Sequence, residues 1–223
     1  MHPKIRALVF DLDGTLLDTA PDFVVVLNRL RAERDLAPLP TELIRRSVSN
    51  GARGLIQLGF GSQPGEPEYE GLRQRLLQIY AGHLAVHTRL FPGIELLLEE
   101  LGQRQIPWGI ATNKPAAYAM PLMKAMNLQP APECLVCPDH VSEPKPHPES
   151  LLLAAKQLGC QPQELAYVGD HRRDIDCGRR AGAVTIAASY GYIEDDDPVA
   201  QWQADYQVTQ ADQLLPLIKP WLA

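Results

Sequence analysis

The stretch Ile5–Asp18, IRALVFDLDGTLLD, combines a short apolar run with two aspartates one residue apart. The run over residues 5–10 is rich in branched and aromatic residues and is too short for a helical pattern. It therefore predicts a buried strand of a parallel sheet. Asp11 and Asp13 come just past the carboxyl end of that strand, where sheets of this kind bind ligands. The stretch predicts a site at the sheet edge and not only packing.

The two carboxylates of this turn repel each other, since unit charges about 4 Å apart cost roughly 4 kcal/mol at an effective dielectric near 20. A divalent cation with oxygen ligands, usually Mg²⁺, would neutralise Asp11 and Asp13 and leave one carboxylate free to attack an electrophile. Gly14 relieves backbone crowding, and Thr15 can offer a hydroxyl or an amide to an anion. The alternative is an Asx-type turn that only caps the next helix. The complete DLDGT after a buried strand favours the metal site.

The charge balance narrows the class of partner. Among 223 residues, 21 are Lys or Arg and 27 are Asp or Glu, which gives a formal net charge of -6. This acidic excess disfavours nucleic acid or a membrane as the main partner and favours a small substrate. The first apolar run stops at Asp11, too short for a signal peptide or a membrane span, so we expect a cytoplasmic protein. We expect a monomer or a weak homodimer.

Four cysteines in a chain of this length do not suggest a disulfide framework. Cys134 and Cys137 form a CxxC, but it lies in a predicted strand, where residues three apart point to opposite faces. No second CxxC or nearby histidine pair completes a tetrahedral site. The pattern favours buried thiols over zinc.

The character of the chain changes between Leu16 and about Arg89, where helical patterns replace strand-like runs. The patterns predict four helices: one after residue 19, one over about 41–48, one from about 52 and one over about 68–86. The turn SNGAR joins two of them. Its Asn50, Gly51 and Arg53 are candidates to contact a substrate, because amides and a guanidinium at a helix start can hold an anion. The alternative is a helix break with a solvated arginine.

Three further polar clusters follow apolar runs downstream. Thr112 and Asn113 follow IPWGIA, and their hydroxyl and amide can bond phosphate oxygens without adding charge. Lys145 lies between two prolines that stiffen the backbone and aim the ammonium. Asp170 and Asp174 follow ELAYVG; on a helix that starts near residue 171 they share one face and can share a cation.

Strand-like and helix-like runs alternate outside the helical segment. This alternation predicts an α/β fold with a doubly wound parallel sheet, and every polar cluster comes where such a sheet places ligands. We expect residues 1–16 and 90–223 to form the α/β catalytic core. Residues 17–89 are expected to form an inserted α-helical cap.

The polar clusters, in this order, resemble the four motifs of the haloacid dehalogenase superfamily, in particular its phosphatase branch. DLDGT resembles the first motif, Thr112 the second, Lys145 the third and the Asp170 and Asp174 pair the fourth. The resemblance covers essentially the whole chain and implies a Rossmann-like core with a cap that closes over the substrate. Many members carry a small residue at the position of His171, a departure that we expect to affect substrate reach or pH response.

The resemblance implies a Mg²⁺-dependent phosphomonoester phosphatase that acts on a small phosphorylated metabolite. Asp11 would attack phosphorus to form an aspartyl-phosphate, and Asp13 would protonate the leaving alkoxide and then deprotonate the attacking water. Mg²⁺ would be bound by Asp11, Asp170 and the backbone carbonyl of Asp13, with Asp174 in support. The same comparison assigns phosphate binding to five residues: Gly14, Thr15, Thr112, Asn113 and Lys145.

Other functions on this scaffold stay open. A dehalogenase lacks an acid at the position of Asp13, because a halide leaves without a proton. A sugar phosphomutase similar to β-phosphoglucomutase shares the core residues, and a non-catalytic binding protein is the rival from another class. Among phosphatases, the overall pattern resembles phosphoglycolate phosphatases. The segments SNGAR, HTRLFPG and LVCPDH resemble the N-acetylmuramic acid 6-phosphate phosphatases of peptidoglycan recycling.

Overall fold

Strands and helices alternate through residues 3–222, which the computed structural model describes. The strands are β1 (Ala7–Phe10), β2 (Leu17–Asp18), β3 (Arg89–Leu90), β4 (Trp108–Ala111), β5 (Cys134–Val136), β6 (Leu165–Gly169), β7 (Val184–Ala188) and β8 (Tyr206–Val208). The helices are α1 (Ala20–Ala32), α2 (Thr41–Ser47), α3 (Gly51–Phe60), α4 (Tyr69–Ala81), α5 (Ile94–Gln103), α6 (Ala116–Met126), α7 (Glu149–Gln157), α8 (Arg172–Ala181) and α9 (Leu214–Ile218).

Six of the strands form one parallel sheet in the order β5-β4-β1-β6-β7-β8. β1 lies inside it, with Phe10 opposite Ile110 of β4 and Val168 of β6. Alternate residues of β1 enter different hydrophobic clusters: Phe10 belongs to one and Val9 to the other. Both faces of the sheet are therefore buried, as the unbroken apolar run predicts.

Helices cover the two faces of this sheet. Apolar residues of α7 and α8 pack in the cluster that contains Val9, whereas those of α5, α6 and α9 pack in the cluster that contains Phe10. Helices on both faces of a parallel sheet are the doubly wound architecture. The predicted fold class is confirmed.

The helices between β2 and β3 pack against one another, and we call α1–α4 the cap helices. Their number agrees with the prediction. The predicted fourth helix is too long: α4 ends at Ala81, because Gly82 caps it and Ala85 takes a left-handed φ of 60° that no helix continues through. The division into a core of 1–16 and 90–223 and a cap of 17–89 stays a prediction.

A short antiparallel pair links the two ends of the helical segment. Leu17 of β2 lies opposite Leu90 of β3, and Asp18 lies opposite Arg89. The sequence did not indicate these strands, since two residues cannot show an alternating pattern. The pair brings both ends of the helical segment to one place beside the end of β1.

The cysteines are free thiols, and the buried Cys134 and Cys137 lie in hydrophobic clusters on opposite faces of the sheet. This placement agrees with the prediction of buried thiols. Over residues 3–222, none of the helices has the length and apolar character needed to cross a membrane.

Candidate active site

The carboxyl ends of three neighbouring strands bring the predicted residues together. Asp11 directly follows β1, Thr112 follows β4 and Asp170 follows β6. Because β1 pairs in register with both neighbours, these residues start from adjacent points of one sheet edge. Asp11 is 5% exposed and Asp170 is 1% exposed, so their carboxylates lie in a largely water-excluded crevice.

Lys145 is the hub of hydrogen bonds in this crevice. Its Nζ donates to Oδ1 of Asp11 at 2.8 Å and to Oδ1 of Asp174 at 2.7 Å, with further bonds to the carbonyl of Ala111 and the hydroxyl of Tyr167. Burial alone lowers the pKa of Lys145, but Asp11 and Asp174 more than offset this, and the pKa is raised. The ammonium therefore stays charged beside the Asp11 carboxylate.

Three carboxylates form the acidic cluster of this crevice. Asp11, Asp170 and Asp174 each offer an oxygen, and the three oxygens lie within 4.8 Å of one another. Burial and then the charges of Asp11 and Asp174 raise the pKa of Asp170 to about 7. The Lys145 ammonium pairs with two of these carboxylates, those of Asp11 and Asp174, and the donor set is entirely oxygen. These residues fit a hard divalent cation such as Mg²⁺.

Asp13 has a different environment. Its Oδ1 accepts hydrogen bonds from Thr19 Oγ1 at 2.6 Å and from Lys114 Nζ at 3.0 Å. The Lys114 ammonium also lies 5.0 Å from the ring centre of Phe23 and 4.6 Å from that of Tyr80. The Asp13 carboxylate is thus bound outside the acidic cluster, and its predicted part in metal binding depends on its backbone carbonyl.

Lys114 is a site residue that the sequence analysis missed. It is 9% exposed; burial alone lowers its pKa, whereas Asp13 and Tyr80 raise it, and the pKa is raised overall. A signal was present, because Lys114 follows Thr112 and Asn113 in the same turn. Its partner lies 101 residues away in the chain, so the contact itself was not visible in the pattern.

Thr19 precedes the first residue of α1, where a threonine side chain commonly caps a helix. Its backbone occupies the N-cap position, but its hydroxyl makes no capping bond and donates to Asp13 instead. The reason is proximity: β2 brings residue 19 back beside the end of β1. Thr19 thereby becomes part of the site.

One donor each of Gly14 and Thr15 bonds within the protein. The amide of Gly14 donates to the carbonyl of Leu17 at 2.9 Å, and the hydroxyl of Thr15 donates to Asp170 at 3.1 Å. The phosphate contact expected of these two residues stays a prediction. Gly14 has a φ of 83°, and a Cβ there would lie 2.1 Å from Oδ2 of Asp170. The turn requires glycine for backbone reasons.

Thr112 and Asn113 also differ in their roles. The side-chain amide of Asn113 donates to the carbonyl of Lys145 and its oxygen accepts from the Lys145 amide, both at 3.0 Å. Asn113 therefore fixes the backbone that carries Lys145, and its phosphate contact stays a prediction. Thr112 is 3% exposed and accepts a bond from the Lys114 amide, which leaves its hydroxyl proton available to a ligand.

A cavity of about 630 Å³ lies between this sheet edge and the cap helices. Asp11, Asp13, Thr112, Asn113 and Lys114 line its floor. The predicted contact candidates of the cap helices also line it, together with aromatic and basic residues of the same helices; the set is Phe23, Asn50, Gly51, Arg53, Tyr69, Arg73 and Tyr80. Tyr118 of α6 lines it as well. Arg53 is exposed, as expected for a guanidinium that faces the space.

Polar contacts hold the cap helices against the core. Ser49 Oγ donates to Oδ2 of Asp170 at 3.0 Å, and its carbonyl accepts from Arg173. The amide of Asn50 donates to Glu194, so this side chain is committed to the core loop. These contacts join the segment between α2 and α3 to residues at the carboxyl ends of β6 and β7.

His171 serves the start of α8. Its Nδ1 accepts from the Arg173 amide at 3.2 Å, and its own amide donates to Asp174 at 3.1 Å. Burial and the nearby Arg173 lower the pKa of His171 to about 4, so the imidazole is neutral near pH 7. The side chain of His171 thus caps α8, and its backbone amide holds the Asp174 carboxylate.

Comparison with known proteins agrees with this geometry. Residues 8–188 match the model of the family described as haloacid dehalogenase-like hydrolase. An N-acetylmuramic acid 6-phosphate phosphatase of Pseudomonas aeruginosa is 43% identical over 215 residues, which are 96% of this chain and 95% of that protein. A phosphoglycolate phosphatase of Xanthomonas campestris pv. campestris is 40% identical over 210 residues, 94% of each chain.

A solved structure shows the same fold. The crystal structure of a predicted phosphoglycolate phosphatase from Haemophilus somnus superposes with a TM-score of 0.83 at 25% identity and covers 96% of this chain and 97% of its own. The relatives confirm the predicted enzyme class, a phosphatase. The family match spans more than half of the sequence. The chain therefore belongs to the haloacid dehalogenase-like hydrolase family.

Proposed function

We propose that the protein is a Mg²⁺-dependent phosphomonoester phosphatase that works through an aspartyl-phosphate on Asp11. One observation carries this proposal. Asp11 and Asp13 lie on the floor of the same cavity, but different lysines bind them: Lys145 at 2.8 Å from Asp11 and Lys114 at 3.0 Å from Asp13. Two neighbouring carboxylates in separate environments can take separate roles.

Asp11 is the nucleophile in this proposal. Its carboxylate forms a bond to phosphorus as the ester oxygen leaves, and the neighbouring Lys145 ammonium lowers the cost of bringing that negative charge against a phosphate. Asp13 transfers a proton to the leaving oxygen. It then takes a proton from the water that attacks phosphorus, as the bond between Asp11 and phosphorus breaks and phosphate leaves. The cap helices exclude other water while the phosphoryl group is transferred.

Mg²⁺ would be held by the carboxylates of Asp11 and Asp170 and the backbone carbonyl of Asp13, with Asp174 in support. It would supply positive charge to the non-bridging phosphoryl oxygens. The Thr112 hydroxyl donates to one of those oxygens.

N-acetylmuramic acid 6-phosphate is the substrate that the cavity favours. The cavity volume of about 630 Å³ lies within the range of roughly 300–1,000 Å³ found for pockets that hold drug-sized ligands. A glycolyl group is far smaller than such ligands. Arg53 can pair with the lactyl carboxylate of the sugar, and Tyr69 and Tyr118 offer faces for its ring. The relative from P. aeruginosa carries this substrate in its name.

The test compares kcat/KM for N-acetylmuramic acid 6-phosphate and 2-phosphoglycolate with Mg²⁺. We expect a preference of about a hundredfold or more for the sugar, which corresponds to about 2.7 kcal/mol of transition-state discrimination. Arg53→Met should lower kcat/KM for the sugar and leave that for phosphoglycolate nearly unchanged. A preference for phosphoglycolate would overturn the substrate assignment and keep the reaction class.

Asp11→Asn tests the nucleophile. We expect turnover of both substrates to vanish while the circular dichroism spectrum and the unfolding midpoint stay close to those of the parent, since Asn is nearly isosteric. Appreciable turnover by this variant would contradict the aspartyl-phosphate mechanism. A role in peptidoglycan recycling, a cytoplasmic location and a monomeric or weakly dimeric state are further predictions of this assignment.

A further inference from the structure

A second cluster of metal-ligating side chains lies outside the active site. Asp22 of α1 and His83 and His87 of the segment that follows α4 each offer one ligand atom, and these atoms lie within 4.8 Å of one another. The two histidines have the spacing H-x3-H, which is common in zinc sites. None of these residues has a part in the proposed phosphatase mechanism.

The distances in this cluster match a shared ion. Two ligands of a tetrahedral Zn²⁺ at about 2.0–2.1 Å lie roughly 3.3 Å apart, and two imidazoles on one ion place their ring centres about 5 Å apart. Nε2 of His83 lies 3.5 Å from Oδ1 of Asp22, and the ring centres of His83 and His87 are 5.5 Å apart. A direct hydrogen bond does not explain the first distance, because Nε2 of His83 is buried with no hydrogen-bond partner among the described residues.

The buried charge of Asp22 also favours a shared metal ion. Its side chain is fully buried, and it accepts bonds from the amides of His87 and Thr88 and from the Thr88 hydroxyl at 2.7 to 3.2 Å. Across residues 3–222, no Lys or Arg side chain forms an ion pair with it; its one ionisable contact is His83. A buried carboxylate without a cation is costly, and a divalent ion would remove that cost.

We propose that Asp22, His83 and His87 bind a divalent transition-metal ion, with Zn²⁺ the best match. Two imidazoles and one carboxylate suit Zn²⁺, Co²⁺ or Ni²⁺, whereas Mg²⁺ prefers the all-oxygen cluster at Asp11. The three ligands leave a fourth position for water. His87 is exposed, which gives the ion a route from solvent.

The ion would tie two elements together. Asp22 lies in the first turn of α1, and the histidines flank the chain as it returns from α4 to β3. Both ends of the helical segment would then be fixed to one point, so the ion stabilises the folded protein and is not consumed in a reaction. The expected signature is a rise in the unfolding temperature with Zn²⁺.

The test uses the full chain without a histidine tag, in millimolar Mg²⁺ to occupy the oxygen cluster. Co²⁺ titration should give the visible bands of a tetrahedral ion at one equivalent, and Zn²⁺ should displace it. His87→Gln, at an exposed position that the fold does not need, should abolish those bands and weaken Zn²⁺ binding on the order of tenfold or more. His140→Gln, a second exposed histidine, is the matched control and should bind as the parent does.

Two results would overturn the proposal. The parent protein could show no tetrahedral Co²⁺ spectrum and no rise in unfolding temperature with Zn²⁺. Alternatively, His87→Gln could bind with the stoichiometry and affinity of the parent, which would place the ion elsewhere. Neither result affects the phosphatase assignment, because the measurement uses no substrate.

Discussion

Lys114 and Thr19 hold the side chain of Asp13 between them. Two donors on one carboxylate, one of them an ammonium stacked on Phe23 and Tyr80, limit the positions that the Asp13 oxygens can occupy. A proton donor must lie within hydrogen-bond reach of the atom that it protonates. Under the proposed mechanism, Lys114 is therefore a positioning residue for the Asp13 carboxyl group.

The loss of kcat/KM in Lys114→Met should therefore depend on the leaving group of the substrate. We expect kcat/KM for an alkyl phosphate, whose alkoxide must be protonated, to fall about tenfold to a hundredfold further than kcat/KM for p-nitrophenyl phosphate. Methionine keeps the length of the side chain and packs on the same rings, which protects the fold. The measurement is the ratio of the two kcat/KM values in variant and parent.

Lys124→Met is the control for this experiment, because Lys124 is an exposed lysine of α6 and should leave the ratio unchanged. An equal loss for both substrates in Lys114→Met would argue for a structural role only. Such a result would leave the nucleophile assignment in place, since Asp11 is held by Lys145.

Long elements with a clear hydrophobic period were predictable, and very short ones were not. β1, β4 and β6 are unbroken apolar runs that end in polar residues, so both their burial and the position of their ligands followed from the pattern. The two-residue strands β2 and β3 carry no period. The end of α4 was missed because the apolar pattern continues past Ala81, where backbone conformation and not side-chain pattern stops the helix.

Gly71 offers a test of element stability. It lies in the first turn of α4, and a Cβ there would meet no atom within 4 Å. Gly71→Ala should raise the free energy of unfolding by about 0.5 kcal/mol, because alanine loses less backbone entropy in a helix. Urea denaturation measures the difference.

Gly65→Ala is the matched comparison, because a Cβ there is equally free of neighbours but the φ is 95°. It should lower the free energy of unfolding by roughly 1–2 kcal/mol. Equal effects of the two substitutions would show that backbone conformation does not decide stability in this segment.

The site as a whole was predictable only in part, because two kinds of contact build it. Some site residues come together because the ends of parallel strands meet at one sheet edge; these are Asp11, Lys145, Asp170 and Asp174. Contacts that depend on how the cap helices pack, such as that of Ser49 with Asp170, have no local signal. The catalytic roles stay predictions.

The reactivity of the four thiols depends on how deeply each one is buried in the folded molecule. Burial raises the pKa of Cys134, Cys137 and Cys177 from 9.0 to about 11, and it also raises the pKa of Cys160, which is less buried. Iodoacetamide at pH 8 should therefore modify Cys160 first and the other three only after unfolding. Mass spectrometry of the labelled peptides measures the order, and Cys160→Ser should remove the fast phase.

The raised pKa values of the thiols also mean that the folded protein loses stability as the pH rises into the alkaline range. Protonation of these thiols favours the folded state fully below about pH 9, the unfolded value, and this contribution is lost as the pH rises toward about 11. Rapid labelling of Cys134 or Cys177 in the native protein at pH 8 would contradict the buried placement.

The hydrogen bond from Ser49 to Asp170 joins the segment between α2 and α3 to the acidic cluster. This bond lowers the pKa of Asp170, so it is stronger when the carboxylate is ionised. By thermodynamic reciprocity, ionisation of Asp170 favours closure by the same free energy with which closure favours ionisation. A fluorophore attached near Ser49 would therefore report the charge of the buried Asp170 carboxylate, with no substrate present.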